Sequence, residues 1–351
     1  MSTPNFDSLA PILQPALDAL EAERLRVRRS TANAAMWAAV GFAVVAFAGT
    51  ILAGGFNPFV LLLPLIIAGG IVGWTYSSGA KEYRTGFKML VMPYLVSSFG
   101  DLQYQHQLGI SENEFRASGM FRSPDRYRCE DLVEGRIGET ALRFSEVHAE
   151  YRSQTTDSKG HTRTEYHDIF RGLFVIAEFN KNFTGVTHVL PDTAQKMFGS
   201  FGQSLQGLGA KMSGRELVKL EDPEFEKQFV VYSRDQVEAR YLLSPSLMRR
   251  LLDFRAKCNS SFHLAFMANQ IYLAIPTATD WFEPSIGKEL SMEALAPYAQ
   301  QMQFATGIVE DLDLNTRIWS KQSSLPDVAA PAFDPRASTA PNAPMQARWE
   351  N

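Results

Sequence analysis

The sequence predicts an α+β protein in which a two-span transmembrane helical hairpin precedes a cytoplasmic body of antiparallel β-hairpins flanked by helices. Three observations predict this fold class. No charged residue occurs between Arg29 and Lys81. Beyond Lys81, segments with helical apolar spacing alternate with segments whose apolar residues recur at every second position. Turn-rich breaks separate the latter into pairs, which is typical of hairpins and not of a doubly wound parallel sheet.

The charge-free segment is long enough for two membrane crossings. A bilayer core of about 30 Å is crossed by a helix of roughly 20 residues, and the runs 34–53 and 58–76 both fit this length. The letters GGFNP at 54–58 combine residue types that break helices and form tight turns. The sequence therefore predicts two spans joined by a very short loop. The alternative is a buried helical hairpin of a soluble protein.

Basic residues predict the orientation of the two spans. They flank both spans and are absent from the loop: Arg24, Arg26, Arg28 and Arg29 on one side, and Lys81, Arg84 and Lys88 on the other. Because lysine and arginine near span ends favour the cytoplasmic side, both termini are expected there. No ionisable group lies inside either span, so a proton relay or ion path has no residue to use.

Composition divides the chain into four regions. They are an N-terminal amphipathic helix (1–30), the transmembrane hairpin (31–80), the cytoplasmic α+β domain (81–322) and a disordered tail rich in proline and alanine (323–351). The α+β domain is long enough for one large core or two small ones. A glycine-rich stretch at 193–214 is the candidate break between two subdomains, and one core or two is left open.

The first region has the pattern of a docking helix. Pro15 suits a first helical turn, and Leu13, Leu17 and Leu20 form one apolar stripe. This stripe is expected to pack on the cytoplasmic body or on another chain.

The cytoplasmic body is predicted to contain helices and short strands in alternation. The predicted elements are a helix at 81–98, strands within 127–190 with turns at 153–160 and 180–182, short strands at 217–220, 229–232 and 239–242, a helix that begins at Ser244 and Pro245, a hairpin at 261–275 and a last helix at 292–309.

Two segments and a hairpin resemble a known bacterial family. The segments are IFRGLFVIAEFNKNFTGVTHVLPD at 169–192 and VKLEDPEFEKQFVVYSRDQVEARYLLSPSLMRRLL at 218–252, and the hairpin reads SFHLAFMANQIYLAIP. Together with the layout they resemble the DUF3137 family over most of residues 1–320. The resemblance implies an N-terminal helix, a two-span hairpin in the bacterial inner (plasma) membrane and a cytoplasmic α+β body. It implies no assigned activity, and it suggests a LemA-like membrane protein as a partner.

Common catalytic and binding motifs are absent from the sequence. There is no GxxxxGK[ST], GxSxG or HExxH. Asp311, Asp313 and Asn315 begin like a calcium loop, but the glycine and glutamate that such a loop requires are missing. The net charge of −4 and the lack of a basic tract argue against nucleic acid. Cys129 and Cys258 lack CxxC spacing and are expected to be free thiols. We expect no cofactor.

One polar constellation remains as a site candidate. His148 and Glu150 share a face if they lie on a strand, and the next strand carries Glu165 and His167 on one face. If His148 pairs opposite Glu165, these four residues form a metal or acid–base cluster. The alternative is a solvated face with cross-strand charge pairs. We predict no metal ligands, and these four residues are the candidates if a metal binds.

Two function classes follow, with a third left open. The first is a non-catalytic, membrane-anchored cytoplasmic module that binds a partner protein or a membrane-proximal ligand. The second is a membrane-bound enzyme, hydrolase-like or metal-dependent, around His148, Glu150, Glu165 and His167. The third is a homo-oligomer organised through the hairpin. We choose the first because catalytic motifs are absent and the chain has both an anchor and a docking helix.

Overall fold

The computed structural model describes residues 6–52, 58–156, 158–192 and 214–316. Two long helices, α1 (Phe6–Leu52) and α2 (Pro58–Leu90), come first, followed by the short α3 (Met92–Ser97). The later elements are β1 (Asp101–Gln105), α4 (Glu112–Ala117), β2 (Arg126–Ile137), β3 (Thr140–Thr156), β4 (Thr162–Glu178), β5 (Thr187–Pro191), β6 (Glu216–Val218), α5 (Pro223–Gln228), β7 (Phe229–Ser233), α6 (Gln236–Leu242), α7 (Pro245–Cys258), β8 (His263–Met267), β9 (Gln270–Pro276) and α8 (Ala296–Asp311). A 3₁₀ turn, Glu293–Leu295, precedes α8.

The described strands form one nine-stranded sheet in the order β1-β2-β3-β4-β9-β8-β5-β7-β6. Every pair of neighbouring strands in it is antiparallel. The predicted mixture of helices and antiparallel hairpins is thereby confirmed. One face of the sheet packs on the main core, to which α1, α2, α7 and α8 contribute. The opposite face is covered by a smaller cluster built around Phe115 of α4 and Phe174 of β4.

Two tight hairpins agree with their sequence signals. The turn between β8 and β9 consists of Ala268 and Asn269, which both have positive φ (52° and 58°), as a two-residue hairpin turn requires. The break at 153–160 lies at the tip of the β3–β4 hairpin, although both strands extend further than the turn signal indicated. Residues Ser244 and Pro245 begin α7, where the Ser244 hydroxyl accepts a hydrogen bond from the Leu247 amide.

The predicted strand at 239–242 is wrong, because these residues belong to helix α6. The Asp235 carboxylate caps this helix by accepting hydrogen bonds from the amides of Val237 and Glu238. The apolar letters of this segment suit a strand, but the capping residue lies just before them and decides the local structure. Ala239 and Leu242 then point into the core.

Helices α1 and α2 are long and apolar enough to cross a membrane by length and composition, and none of the residues in the most apolar window of either helix is buried. Both helices continue without a break into the body of the protein. Leu13 and Leu17 of α1 and Phe87 of α2 are fully buried there. The apolar stripe of the N-terminal segment therefore packs on this chain's own body.

Glycines allow α1 and α2 to approach each other closely between their most apolar segments and the body. A Cβ on Gly79 would lie 2.8 Å from Val27, and a Cβ on Gly86 would lie 2.9 Å from Leu20. By contrast, a Cβ on Gly73 would have no neighbour within 4 Å. The two helices are thus fixed against each other where they join the body.

Polar contacts also fix α1 to the segment before α8. Arg24 is 4% exposed and donates a hydrogen bond from Nη1 to the Ile286 carbonyl at 3.0 Å. Glu21 pairs with Arg24 and accepts a hydrogen bond from the Leu290 amide at 2.9 Å. These contacts hold the N-terminal helix in one orientation on the body.

Three predicted features lie outside the described residues. They are the loop between the spans, the glycine-rich stretch at 193–213 and the tail from residue 323 onward. The division of the body into two subdomains stays a prediction.

Candidate functional site

A cleft of about 1170 Å³ lies between the lower part of α2 and the sheet. Its α2 wall is formed by residues spaced four apart, Tyr76, Ala80, Arg84 and Lys88, which lie on one face of the helix. At a rise of 1.5 Å per residue, this wall extends roughly 18 Å along the helix. Tyr76 marks the end of the predicted second span, so the cleft begins where that span ends.

Lys88 is the centre of a buried charge cluster at the far end of the wall. The Lys88 ammonium lies 2.7 Å from Asp131, 2.8 Å from Glu130 and 2.9 Å from Glu283. Three acceptors satisfy the three donors of an ammonium group. Because an unpaired buried charge is very costly, this cluster ties α2 to the sheet.

Asp131 is held in position by an irregularity in β2. The β2–β3 pairing shifts register between Glu130 and Val133, and Asp131 within this bulge has a left-handed φ of 61°. Its fully buried side chain accepts a hydrogen bond from the Tyr104 hydroxyl and contacts Lys88. Burial raises the pKa of Asp131 to about 6, although the Lys88 charge and hydrogen bond act in the opposite direction.

The sheet wall carries charged residues on the face that is apolar elsewhere. Along β3, the buried Phe144 is followed on the same face by Glu146 and His148. Arg128 on β2 and Arg171 on β4 pair with His148 from either side. The result is a cross-strand row of three basic side chains facing the cleft.

Glu146 lies between the core and the cleft. Burial raises its pKa to about 8, and the nearby carboxylates Asp131, Asp280 and Glu130 act in the same direction. A hydrogen bond from the Trp281 amide opposes this shift. At neutral pH the Glu146 carboxyl is therefore mainly protonated.

The strand register differs from the one that would have joined the four predicted site residues. His148 lies opposite Arg171 and not opposite Glu165, because β3 and β4 stay paired as far as Thr156 and Thr162, so that the hairpin turns later in the chain than the expected register requires. A second irregularity, between Ala149 and Glu150, adds one residue to this offset. Glu165 lies opposite Ser153.

The four residues consequently form two separate groups. His167 contacts the Ser153 hydroxyl at 2.8 Å and lies 3.9 Å from Glu165, in the exposed part of the hairpin. His148 and Glu150 stay together near the cleft.

Asp168 joins His148 and Glu150 in place of the expected partners. The His148 Nε2 and the Asp168 Oδ1 are 2.7 Å apart, and one ligand atom from each of the three residues lies within 4.8 Å of the others. Arg128 contacts this group, at 3.3 Å from His148 Nδ1 and 3.1 Å from Glu150. A metal ion would have to displace this guanidinium. The arrangement as it stands is a hydrogen-bonded ion network.

Sequence reasoning missed Arg128, Glu146 and Arg171, which line the cleft. It also missed Asp131 and Asp168, which pair with the lining residues Lys88 and His148. One signal was available. On β3 the inward positions change from Leu142 and Phe144 to Glu146 and His148, which marks the point where the core ends and a polar cavity begins.

Both cysteines are free and half-buried, as expected. Burial raises the pKa of each thiol, to about 12 for Cys258, so neither has the character of a reactive thiolate. Asp311 and Asp313 pair with Lys257 and Arg250 at the end of α8. These ion pairs join the end of α8 to α7.

Comparisons with known proteins agree with the resemblance drawn from the sequence. Residues 168–314, from β4 through α8, match the family model DUF3137, described as a protein of unknown function. The resemblance is confirmed over this part of the chain. No curated protein matches.

One solved structure is similar, the crystal structure of the mycobacterial trehalose monomycolate transport factor A, TtfA. The identity is 11% and the TM-score 0.31, over 62% of this chain and 92% of that one. A likeness at this level assigns neither a shared fold nor a shared role.

Proposed function

We propose that this chain, whose residues 168–314 belong to the DUF3137 family, is a non-catalytic module anchored in the bacterial inner membrane. It spans the membrane twice, keeps both termini in the cytoplasm and binds a partner protein or a membrane-proximal ligand. Its body is expected at 81–322, between the spans and the tail.

One observation carries this proposal: both apolar helices run unbroken from their exposed windows into the buried core. A flexible tether would let the body move freely. Here Leu17, Phe87 and the Lys88 cluster join the lower halves of both helices to the sheet. The body is therefore held in a fixed orientation at the membrane, and its cleft begins next to the span. Such geometry suits recognition at the bilayer surface.

The charge distribution supports the orientation. Arg28 and Arg29 on α1 are exposed, and Lys81 and Arg84 on α2 follow the second span directly. These side chains lie on the same side as the body, as the positive-inside rule requires for a cytoplasmic body. The partners proposed are the bilayer, a LemA-like membrane protein and, as an open alternative, a second copy of the chain.

A second candidate is a membrane-bound enzyme, and one contact favours it. The His148–Asp168 pair, with a distance of 2.7 Å, has the geometry by which a carboxylate orients an imidazole for acid–base work. No Ser, Thr or Cys nucleophile among the described residues is recorded in contact with this imidazole. We therefore rank binding above catalysis.

The anchor is tested with a pair of reporter fusions. Alkaline phosphatase, which is active only outside the cytoplasm, is fused after Asn351 or inserted within residues 54–57. The proposal predicts a silent fusion at Asn351 and an active insertion in the loop. An active fusion at Asn351 would refute the two-span topology.

The binding role is tested by purification of the full chain in mild detergent, followed by identification of the molecules that remain bound to it.

A further inference from the structure

The cleft extends to the membrane end of α2. Tyr76, the last residue of the predicted span, and Ser77, the first beyond it, line this end, which we call the mouth. Tyrosine at this depth is typical of the headgroup layer. A molecule that enters the mouth from the bilayer side therefore brings its polar end first. The cleft volume of about 1170 Å³ is ample for a lipid headgroup.

The α2 wall presents two cations with unused donors. Lys81 lines the cleft, is exposed, and has no ion-pair partner among the described residues. Arg84 contacts Glu283 through Nε at 3.1 Å, and its two terminal nitrogens have no recorded partner in the described part of the chain. An ammonium next to a guanidinium with free donors is a good receptor for phosphate oxygens.

The carboxylates of the cleft already have partners. Glu130 and Glu283 contact Lys88, and Asp280 contacts Arg171 at 2.6 Å. Glu146 is partly buried, accepts the Trp281 amide hydrogen bond and is mainly protonated at neutral pH. The lining contains five lysine and arginine side chains and four carboxyl groups, so its net charge is positive. Lys81 has no ion-pair partner among the described residues, and Arg84 has only Glu283.

The opposite wall adds further donors. Arg128 and Arg171 line it, with side chains 69% and 46% exposed. His106 also lines the cleft, but its Nε2 is buried, so the donors of this wall are the two arginines. A phosphate between the walls would therefore meet donors from both the helix and the sheet.

The apolar part of the lining contains no large aliphatic side chain. No described Leu, Ile, Met or Phe side chain lines the cleft, and its apolar surface comes from Tyr76, Ala80, Tyr127, Cys129 and Val147. A charged headgroup, whose chains stay in the bilayer, fits both the lining and the position of the mouth.

We propose that this cleft binds the phosphate headgroup of an anionic lipid that enters from the bilayer, with Lys81 and Arg84 as the principal contacts. The inference rests on the proposed function, because the anchor places the mouth at the bilayer surface. A bound lipid bridges α2 and the sheet and thereby makes the body responsive to the lipid composition around it.

The test uses the full chain in nanodiscs of phosphatidylcholine that contain a minor fraction of spin-labelled phosphatidylglycerol. The wild type is expected to immobilise the labelled lipid with a preference over labelled phosphatidylcholine. The double variant Lys81→Gln/Arg84→Gln is expected to lose this preference at least tenfold, in line with the loss of two charge-assisted contacts. The matched control is Arg28→Gln/Arg29→Gln, which removes two exposed arginines of α1 that do not line the cleft.

The control distinguishes lipid binding in the cleft from general attraction of basic side chains to an anionic membrane surface. Equal losses in the cleft variant and in the control would overturn the proposal, as would a wild type without lipid preference. The single variant Lys81→Gln guards against misfolding, because Lys81 has no ion-pair or hydrogen-bond partner within the described part of the chain. It is expected to reduce the preference by itself. An unchanged preference in this folded variant would count against the proposal.

A further arm distinguishes lipid from free phosphate. Inorganic phosphate or glycerol 3-phosphate in excess is expected to leave the immobilised lipid in place. Displacement by either would identify a soluble phosphate ligand and refute the lipid source. If the reporter fusions give the expected topology and the nanodiscs show no preference, only the lipid inference fails. If the fusions contradict the topology, the anchor and the inference both fail.

Discussion

Replacement of Glu146 by glutamine tests the electrostatics of the cleft directly. Glutamine keeps the side-chain oxygen that accepts the Trp281 amide hydrogen bond and removes the ionisable proton. Burial raises the pKa of Glu146 to about 8 in the folded chain, against 4.5 for the unperturbed group. Each pKa unit corresponds to about 1.4 kcal/mol. Ionisation of Glu146 therefore costs the folded state on the order of 5 kcal/mol.

The sign of the pH dependence follows from the raised pKa. Below about pH 4.5 the carboxyl is protonated in both states and does not affect stability. Between this pH and about 8 the unfolded chain loses the proton while the folded chain keeps it, so stability falls as pH rises. Above pH 8 both states are ionised and the penalty is complete. The wild type should lose about 2–3 kcal/mol relative to Glu146→Gln between about pH 6 and pH 9.

The assay is denaturant unfolding of the body in mild detergent, followed by tryptophan fluorescence at both pH values. The difference in the free energy of unfolding between wild type and Glu146→Gln isolates the effect of this carboxyl from the effects of all other titrating groups. Glu165→Gln, which removes a carboxylate whose side chain is 44% exposed, is the matched control. A wild-type-to-variant difference that is the same at both pH values would refute the buried, protonated state of Glu146.

Three further predictions concern how the body is attached to its helices. Gly79→Ala should lower the unfolding midpoint, because its Cβ would lie within 3 Å of α1, whereas Gly73→Ala should leave the midpoint unchanged. Asp131→Ala should cost about 3–5 kcal/mol because it leaves a buried lysine without its buried partner. In the same unfolding assay Glu130→Ala, with a 55% exposed side chain, should cost much less. Leu17→Ala should cost about 2–5 kcal/mol, and limited proteolysis should then cut the released end of α1 first.

The elements with strong local signals could be predicted from sequence. The charge-free segment, the β8–β9 hairpin and the Ser244–Pro245 helix start each depend on neighbouring residues, and the structure has them. Helix α6 was predicted as a strand because a short apolar segment fits the helical period and the strand period equally well. Only the capping residue Asp235 distinguishes the helix from a strand here.

The candidate site was predicted less well because it depends on long-range geometry. The position of the hairpin turn, which leaves Thr156 opposite Thr162, places Asp168 beside Glu150, and the irregularity after Ala149 shifts the pairing of His148 by one more residue. A bulge has no reliable local signature, yet it changes which side chains meet. The Lys88–Asp131 contact joins residues 43 positions apart across a helix and a sheet. No spacing rule finds such a pair.

The N-terminal stripe shows how much a pattern can leave open. Leu13, Leu17 and Leu20 indicated a docking helix, but the pattern fits the chain's own body as well as another chain. The structure buries all three in the body and adds Arg24 as a polar contact. This face is therefore occupied within the chain, and the cleft is the candidate binding surface.

The central claim is that the protein binds a partner or a membrane-proximal ligand and does not catalyse a metal-dependent reaction. The most direct measurement is purification of the tagged full chain in mild detergent, with protein, lipid and metal content determined on one sample. The account predicts a stoichiometric protein partner or lipid and no stoichiometric metal. Stoichiometric metal that disappears in His148→Ala and Asp168→Ala would contradict it and establish the His148 cluster as a metal centre.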